Sequence, residues 1–328
     1  LQRGDGSDLA VVVAGRFKIS RQAAGRHIAK LVAEGVLQPR GKTRSKTYNL
    51  VTLFKVAKEY STEGLEEHIP WMTEVRPCLT DMPENVMQIC SYVFTEILNN
   101  AIDHSASTKV RITCTMNAAT INIQIMDQGV GIFKKIKEEL QLADERQAIL
   151  ELTKGKFTTD RKRHSGEGIF FSSRAVDEFL IWSHDLCFKH VEEEDDWLHS
   201  TEGKYFDGTL VDMTISKTSG RSLKEMFARF QRSPDDLTFS KTHVPIKLAQ
   251  LGSELMSRSQ ARRVMSRLEG FDEVMLDFTD VVVIGQAFAD EIFRVFANEH
   301  PSVQILHRGA TDFVGLMIQR AKDGAKRD

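Results

Sequence analysis

Cysteine is scarce in this 328-residue chain, and the four present, Cys78, Cys90, Cys114 and Cys187, fall singly within apolar stretches. Without a CxxC pair or a framework spacing they argue against a zinc site and against a disulfide scaffold, and they fit a reducing cytoplasm. Long hydrophobic runs are missing as well. None reaches the ~18 residues of a membrane helix, and no signal peptide stands at the start, so neither a membrane partner nor export is expected. Net charge is only −2, and with 41% hydrophobic and 27% charged residues nothing in the composition suggests disorder. The length suits a globular chain of roughly two or three domains.

The near-neutral total hides an uneven distribution. Residues 1–50 hold ten Lys and Arg against three Asp and Glu, a balance of +7 that leaves −9 for the remainder. A basic module on an acidic body points to a polyanion partner for that end.

The pattern with the most chemistry in it runs from Pro83 to Ser105, PENVMQICSYVFTEILNNAIDHS. Val86, Ile89, Cys90, Val93, Phe94, Ile97, Leu98, Ala101 and Ile102 mark one broad helical face. Glu96, Asn100 and Asp103 fall at i, i+4 and i+7 and form a polar stripe beside it. A solvated helix edge would explain any one of them. Downstream, TKVRITCTMNAATINIQIMDQGVGI reads as two half-buried strands joined around Asn117–Thr120. Asp127 continues the odd-numbered series of Ile121, Ile123 and Ile125, so its carboxylate is expected on the buried side, where it needs donors. Gly129 and Gly131 then allow a flat ligand close to the backbone. In SGEGIFF, Gly166 and Gly168 open a helix, a seat for phosphate.

These stretches, in this order, resemble the nucleotide pocket of the GHKL ATPases, the group of DNA gyrase, MutL and the kinase domains of sensor histidine kinases. EILNNAIDHS looks like the N box, DQGVGI the first glycine box, SGEGIFF the second, and GTLVDMTI the late strand behind the base. The resemblance covers roughly Leu65 to Lys217. It implies ATP and Mg2+ as cofactors, Asn100 as the metal ligand, Asp127 as acceptor from the adenine amino group, Gly166 and Gly168 at the phosphates and Thr209 behind the base. Asp103, Gly129 and Gly131 belong to the same pocket. Glu96 stands where gyrase and MutL place a glutamate that orients the attacking water, a role in which a carboxylate acts as general base. The rival reading has Glu96 only helping to hold the metal, as in kinases. His104, beside the N box, is read as structural or phosphate-side rather than as a base.

At the N-terminus a short helix over Ser7 to about Gly15 precedes Ser20, an N-cap for a helix to Glu34 with Gly35 as its stop. Ala24, Ile28, Leu31 and Val32 form its apolar stripe, leaving Arg21, Gln22, Arg26 and Lys30 outside. VLQPRGKTRSKTYNLV reads as two strands about a basic loop with Lys42 and Arg44. This resembles the recognition helix and wing of winged helix-turn-helix domains, with the first helix short or missing, and implies duplex DNA as partner. Basic groups neutralise phosphates while Arg and Gln read base edges. Protein docking is the alternative use of such a module. His27 belongs to that helix pattern and is not read as a phosphoacceptor.

Val51–Pro83 reads as a link with helical potential over Leu65–Val75. Phe133–Ser165 is the expected nucleotide lid, with Lys154, Lys156, Arg161, Lys162 and Arg163 in reach of phosphate or on a solvated face. The acidic stretch after His190 reads as a surface hairpin, and Ser219–Thr242 as a polar connector containing a helical piece and Pro234. Strands at VPIKLAQ, EVMLDFTDV and VQILHRG alternate with helices over Ser257–Glu269, Gly285–Asn298 and from Thr311, a small α/β domain. It resembles the STAS-like domains related to anti-sigma-factor antagonists. Gln286 takes the place of their phosphorylated serine, which leaves a docking or dimerising role, with a protein partner or a second copy as occupant. Thr279, the nearest hydroxyl, reads as a cap.

The expected architecture is therefore α+β and multidomain: a winged helix over 1–52, a Bergerat-type α/β sandwich ATPase over 53–220, a linker over 221–240 and a STAS-like α/β domain over 241–328. The expected function is a cytoplasmic ATP-binding, ATP-hydrolysing regulator whose nucleotide state controls DNA binding or partner docking. A serine or histidine kinase, or an anti-sigma-like regulator phosphorylating a protein, is the alternative.

Overall fold

The computed structural model describes residues 9–41, 46–155, 167–191, 197–200, 205–233, 236–239, 241–244 and 254–324. Helix α1 (Leu9–Phe17) leads into α2 (Arg21–Ala33), whose N-cap Ser20 accepts from the Ala23 amide at 3.1 Å. A hairpin of β1 (Leu37–Arg40) and β2 (Thr47–Leu50) follows, pairing Leu37 with Leu50. Ala24 and Ile28 are buried as the periodicity requires. Leu31, expected on the same stripe, is exposed and Val32 only half-buried, because α1 and β1, which pack on α2, cover only part of its surface. No residue of α1 is buried, and Val11, Val12 and Phe17 face outward.

Next comes β3 (Phe54–Ser61), where the sequence pointed only to a link. It pairs along its whole length with β4, opposite Lys109–Met116. Phe54, Val56 and Tyr60 do alternate, but the lysines between them dilute the signal, and an edge strand tolerates such charges. The predicted helix over Leu65–Val75 forms later and in pieces: α3 (His68–Pro70), a π-helical turn Trp71–Val75 and a 3-10 turn Arg76–Cys78. Then α4 (Glu84–His104) carries a fully apolar face, with Val86, Ile89, Cys90, Val93, Phe94, Ile97, Leu98 and Ala101 buried. Replacing a ring such as Phe94 by alanine in a face of this kind costs about 3–5 kcal/mol.

Strands β4 (Lys109–Met116) and β5 (Thr120–Asp127) are joined by a turn in which the Asn117 Oδ1 accepts from the Ala119 and Thr120 amides. Helices α5 (Ile132–Glu139), α6 (Arg146–Lys154) and α7 (Gly168–Ala175) precede β6 (Glu178–His184), β7 (Leu186–Val191), β8 (Trp197–Ser200) and β9 (Phe206–Ser216). The seven strands make one antiparallel sheet in the order β3-β4-β5-β9-β6-β7-β8, so β9, latest in sequence, is inserted beside β5. Ile121, Ile123, Ile125 and Asp127 face the buried side against α4. On the other face Asn122 and Gln124 donate to Asp212 at 2.5 and 2.7 Å, a polar ladder facing away from the core.

Helix α8 (Leu223–Ala228) is the helical piece expected within the polar connector, but its surroundings are apolar: Phe227 and Phe230 pack against Phe170 and Phe171 of α7 with centroids 4.8–5.8 Å apart. Each such aromatic pair adds about 0.5–1.5 kcal/mol beyond its buried area. Strands β10 (Gln231–Ser233) and β11 (Asp236–Phe239) pair antiparallel. The rest is α/β: β12 (Lys241–Val244), β13 (Glu254–Leu255), α9 (Arg258–Met265), β14 (Glu273–Asp277), β15 (Val283–Ile284), α10 (Gln286–Asp290) continuing through a π-helical stretch into α11 (Ala297–Glu299), β16 (Gln304–Arg308) and α12 (Asp312–Gly324). Strands β12-β14-β16 form a parallel sheet, and β13-β15 a smaller one.

The strand expected at VPIKLAQ begins earlier and ends at Val244; residues 245–250 lie outside the described residues. A capping box between Ser257 and Gln260 starts α9, which stops at Met265 rather than Glu269 because Arg267 turns to φ 68°. Asp277, buried at the end of β14, accepts from the Thr279 amide and hydroxyl (2.9 and 2.6 Å) and from Arg308 Nε (2.8 Å). Thr279 thus closes the turn, and Gln286 is exposed at the start of α10. No helix of the described residues is long and apolar enough to cross a membrane.

Candidate nucleotide site

The site gathers where α4, the β5 turn, β9 and α7 meet. Asp127, 5% exposed, ends β5 opposite Thr209 of β9. Its Oδ1 accepts from the amides of Gly129 (2.9 Å) and Thr209 (3.3 Å). Among the described residues no donor reaches Oδ2, which is left for an incoming one. Burial pushes the carboxyl up to about 6, against the pull of those two amides. The Thr209 hydroxyl accepts from the Ile132 amide at 3.0 Å and so caps α5 in place of Gly131, which has no side chain to do it.

The glycines prove to be needed for chain-to-chain approach. A methyl at Gly129 would run into the Ser105 carbonyl at the end of α4, which also accepts from Val130 N at 2.8 Å. Packing therefore gives Gly129 a reason of its own beside the ligand access that the sequence suggests. Gly131 has φ 80°, and a Cβ there would stand 2.6 Å from Ser183 Oγ and 2.8 Å from the His184 ring. Lys135 closes the same corner by donating to the His104 carbonyl at 2.8 Å, a cation at a helix C-terminus.

Glu96 and Asn100 lie half-buried on α4, one turn apart, and Asp103 is exposed a turn further on. Gly168, the first residue of α7, is pressed against Glu96: a Cβ there would collide with the Glu96 carboxylate. The structure thus brings the N-box glutamate to the N-terminus of the helix expected to hold phosphate. The Asn100 carboxamide has no hydrogen-bond partner among the described residues. Gly166 lies outside the described residues, as do Lys156, Arg161, Lys162 and Arg163. Lys154 is described, and it is not a phosphate-side or solvated group; it is buried and bonded to the C-terminal region.

Three neighbours escaped the sequence reading. Tyr92, one turn before Glu96, stands among negative charges: burial drives its hydroxyl far up, and Glu96 and Glu167 add to that. Glu167 itself was hidden between two glycines. Ser183, fully buried, donates to the Gly208 carbonyl at 2.8 Å and ties β6 to β9. For Tyr92 the i, i+4 spacing to Glu96 was a usable signal; Ser183 had none.

In the N-terminal module Arg21, Gln22, Arg26 and Lys30 are all exposed on α2, while Lys42 and Arg44 lie outside the described residues.

This geometry is that of an ATP-binding sandwich. Residues 88–219 match the model of the histidine kinase-, DNA gyrase B- and HSP90-like ATPases, and residues 260–312 that of a STAS-like domain of unknown function. The chain carries a GHKL ATPase domain followed by a STAS-like domain. No curated protein matches it.

The donor set fits the nucleotide such domains bind. Asp127 Oδ2 suits an exocyclic amine, the N-terminus of α7 suits phosphate, and the Asn100 carboxamide oxygen suits a hard cation. Among the described residues no three His, Cys, Asp or Glu side chains gather around a metal position. Magnesium here would share its shell between Asn100, water and phosphate oxygens, the usual arrangement for that ion.

Proposed function

We propose that the chain is a nucleotide-operated regulator that hydrolyses ATP at this site and changes its engagement of DNA with nucleotide state. The observation that carries the hydrolytic part is the apposition of Glu96 and Gly168. A half-buried carboxylate at the mouth of a phosphate-binding helix is placed to orient water and accept its proton, a contribution of about 10²–10⁴ in rate. Asp127 would fix the base, Thr209 would back it and Asn100 would hold magnesium, which would neutralise phosphate charge when bound.

Duplex DNA is the partner we assign to the N-terminal module. Support comes from the +7 balance of residues 1–50 and from four exposed polar or basic side chains on one helix beside a hairpin. A winged helix is the architecture this order of elements suits best. The chain is read as cytoplasmic, and the STAS-like domain as the seat of a protein partner.

Two variants test the hydrolytic reading. Glu96→Ala is expected to keep affinity for a non-hydrolysable ATP analogue while phosphate release falls by about 10²–10⁴, whereas Asn100→Ala loses both. Wild-type turnover in Glu96→Ala would remove the water-orienting role. Tight binding with no turnover in the parent chain would instead favour a kinase that transfers phosphate to a protein.

A further inference from the structure

Lys154 ends α6 with only 3% of its surface exposed. Its Nζ donates to Glu151 Oε1 at 2.7 Å, one turn back in the same helix. Across the seam it donates to the carbonyl oxygens of Ser266 (2.8 Å) and Arg263 (3.2 Å) in the STAS-like region. Those carbonyls close α9, where the chain turns left-handed at Arg267. The last carbonyls of a helix have no partner within it and carry the negative end of its dipole, so an ammonium is the group that satisfies them. Glu151, 5% exposed, balances the charge, and Arg267 and Glu269 also act on it electrostatically. On its other sides α6 packs against α5 and α7. Helix α7 begins at Gly168, against Glu96. One ammonium therefore joins the helices beside the nucleotide site to the C-terminal region.

A buried ion pair contributes little to stability compared with apolar packing, but it is directional. Three oxygens within 3.2 Å hold the ammonium. A shift of α6 by one or two ångströms would leave a buried charge without them, so this seam has a bonded arrangement and an unbonded one with no favourable path of intermediates.

We propose that the α6–α9 seam is an intramolecular docking interface, with Lys154 as its latch, through which nucleotide occupancy is passed to the STAS-like domain. The inference rests on the nucleotide reading above. Its partner surface is the C-terminal turn of α9, which recognises a buried cation and nothing larger.

The test is hydrogen exchange on the full chain with and without a non-hydrolysable ATP analogue and magnesium, alongside a separate titration of analogue affinity. Saturating analogue is expected to change exchange of the Arg262–Arg267 amides by about threefold or more. In E151Q/K154M, which removes both charges together, that response is expected to vanish while the analogue still binds. Binding by the parent chain with no change at α9 overturns the proposal and spares the nucleotide site. Absence of binding overturns both. A double variant that keeps the response overturns Lys154 as the latch, and because the parent measurement needs no substitution, poor folding of the variant does not shield the proposal.

Discussion

At the scale of single residues, Asp127 sets stability at neutral pH against the recognition proposed for it. Its folded pKa of about 6 lies above the ordinary 3.8, so the protonated form is favoured by folding. The contribution is complete below about pH 4 and is lost as pH rises through 6; above that, keeping the group charged costs roughly 3 kcal/mol. Asp127→Asn is neutral at every pH, and its Oδ1 can still accept from Gly129 and Thr209. We expect the variant to be about as stable as the parent at pH 4 and up to roughly 3 kcal/mol more stable at pH 7, read from urea unfolding at both. Its amide would present a donor to a donor, so affinity for an adenine nucleotide should fall by about ten- to a hundredfold or more. Unchanged affinity would remove Asp127 from the site. In the parent, affinity for the analogue should weaken below pH 6 as the acceptor is protonated, a limb absent from Asp127→Asn. Gly168→Ala makes a second test: the added methyl meets the Glu96 carboxylate, so turnover should drop by about 10²-fold while thermal stability holds. Equal turnover in that variant would show that Glu96 need not stay where it lies.

The elements carry a different lesson. Lys154→Met alone strands Glu151 as a buried unpaired anion and should cost about 3–5 kcal/mol, while the double replacement with Glu151→Gln should be far milder. Chemical denaturation of the two variants checks the difference; equal losses would mean the pair is not coupled. The same helix marks a limit of sequence reading. Lys154 sits in KGKFTTDRKRH among lysines and arginines that look alike, and only the arrival of α9 from more than a hundred residues away makes it different. Helix α4, strand β5 and the capped start of α2 were legible because their periodicity is local and strong. Strand β3 was not, since its lysines fit an edge that nothing nearby announces. Phe227 and Phe230 read as part of a polar connector with a helical piece because their partners, Phe170 and Phe171, lie on another element. The motif residues Glu96, Asn100, Asp127 and Thr209 could be named in advance, whereas the packing reason for Gly129 and the placement of Ser183 needed the register of β9.

For the whole molecule, the charge asymmetry gives the sharpest test. If residues 1–50 bind duplex DNA, affinity should fall steeply with salt, and Lys42→Ala with Arg44→Ala should flatten the log–log slope by about one unit for each phosphate no longer neutralised. Fluorescence anisotropy over a salt series measures it. No binding at low salt from a chain that does bind nucleotide would turn the module into a protein-docking unit.

The insertion of β9 between β5 and β6 also sets a timetable. Asp127 leaves the ribosome 82 residues ahead of Thr209, the residue that donates to it from the next strand. A nascent chain stopped near residue 205 holds the N box and both glycine boxes and still has a sheet split down its middle. Nucleotide capture should therefore appear late in synthesis and all at once, when the strand from Phe206 to Ser216 slides between its two neighbours, and long-range closure of this kind is slow. The sheet keeps an incomplete copy of the protein from closing its nucleotide site.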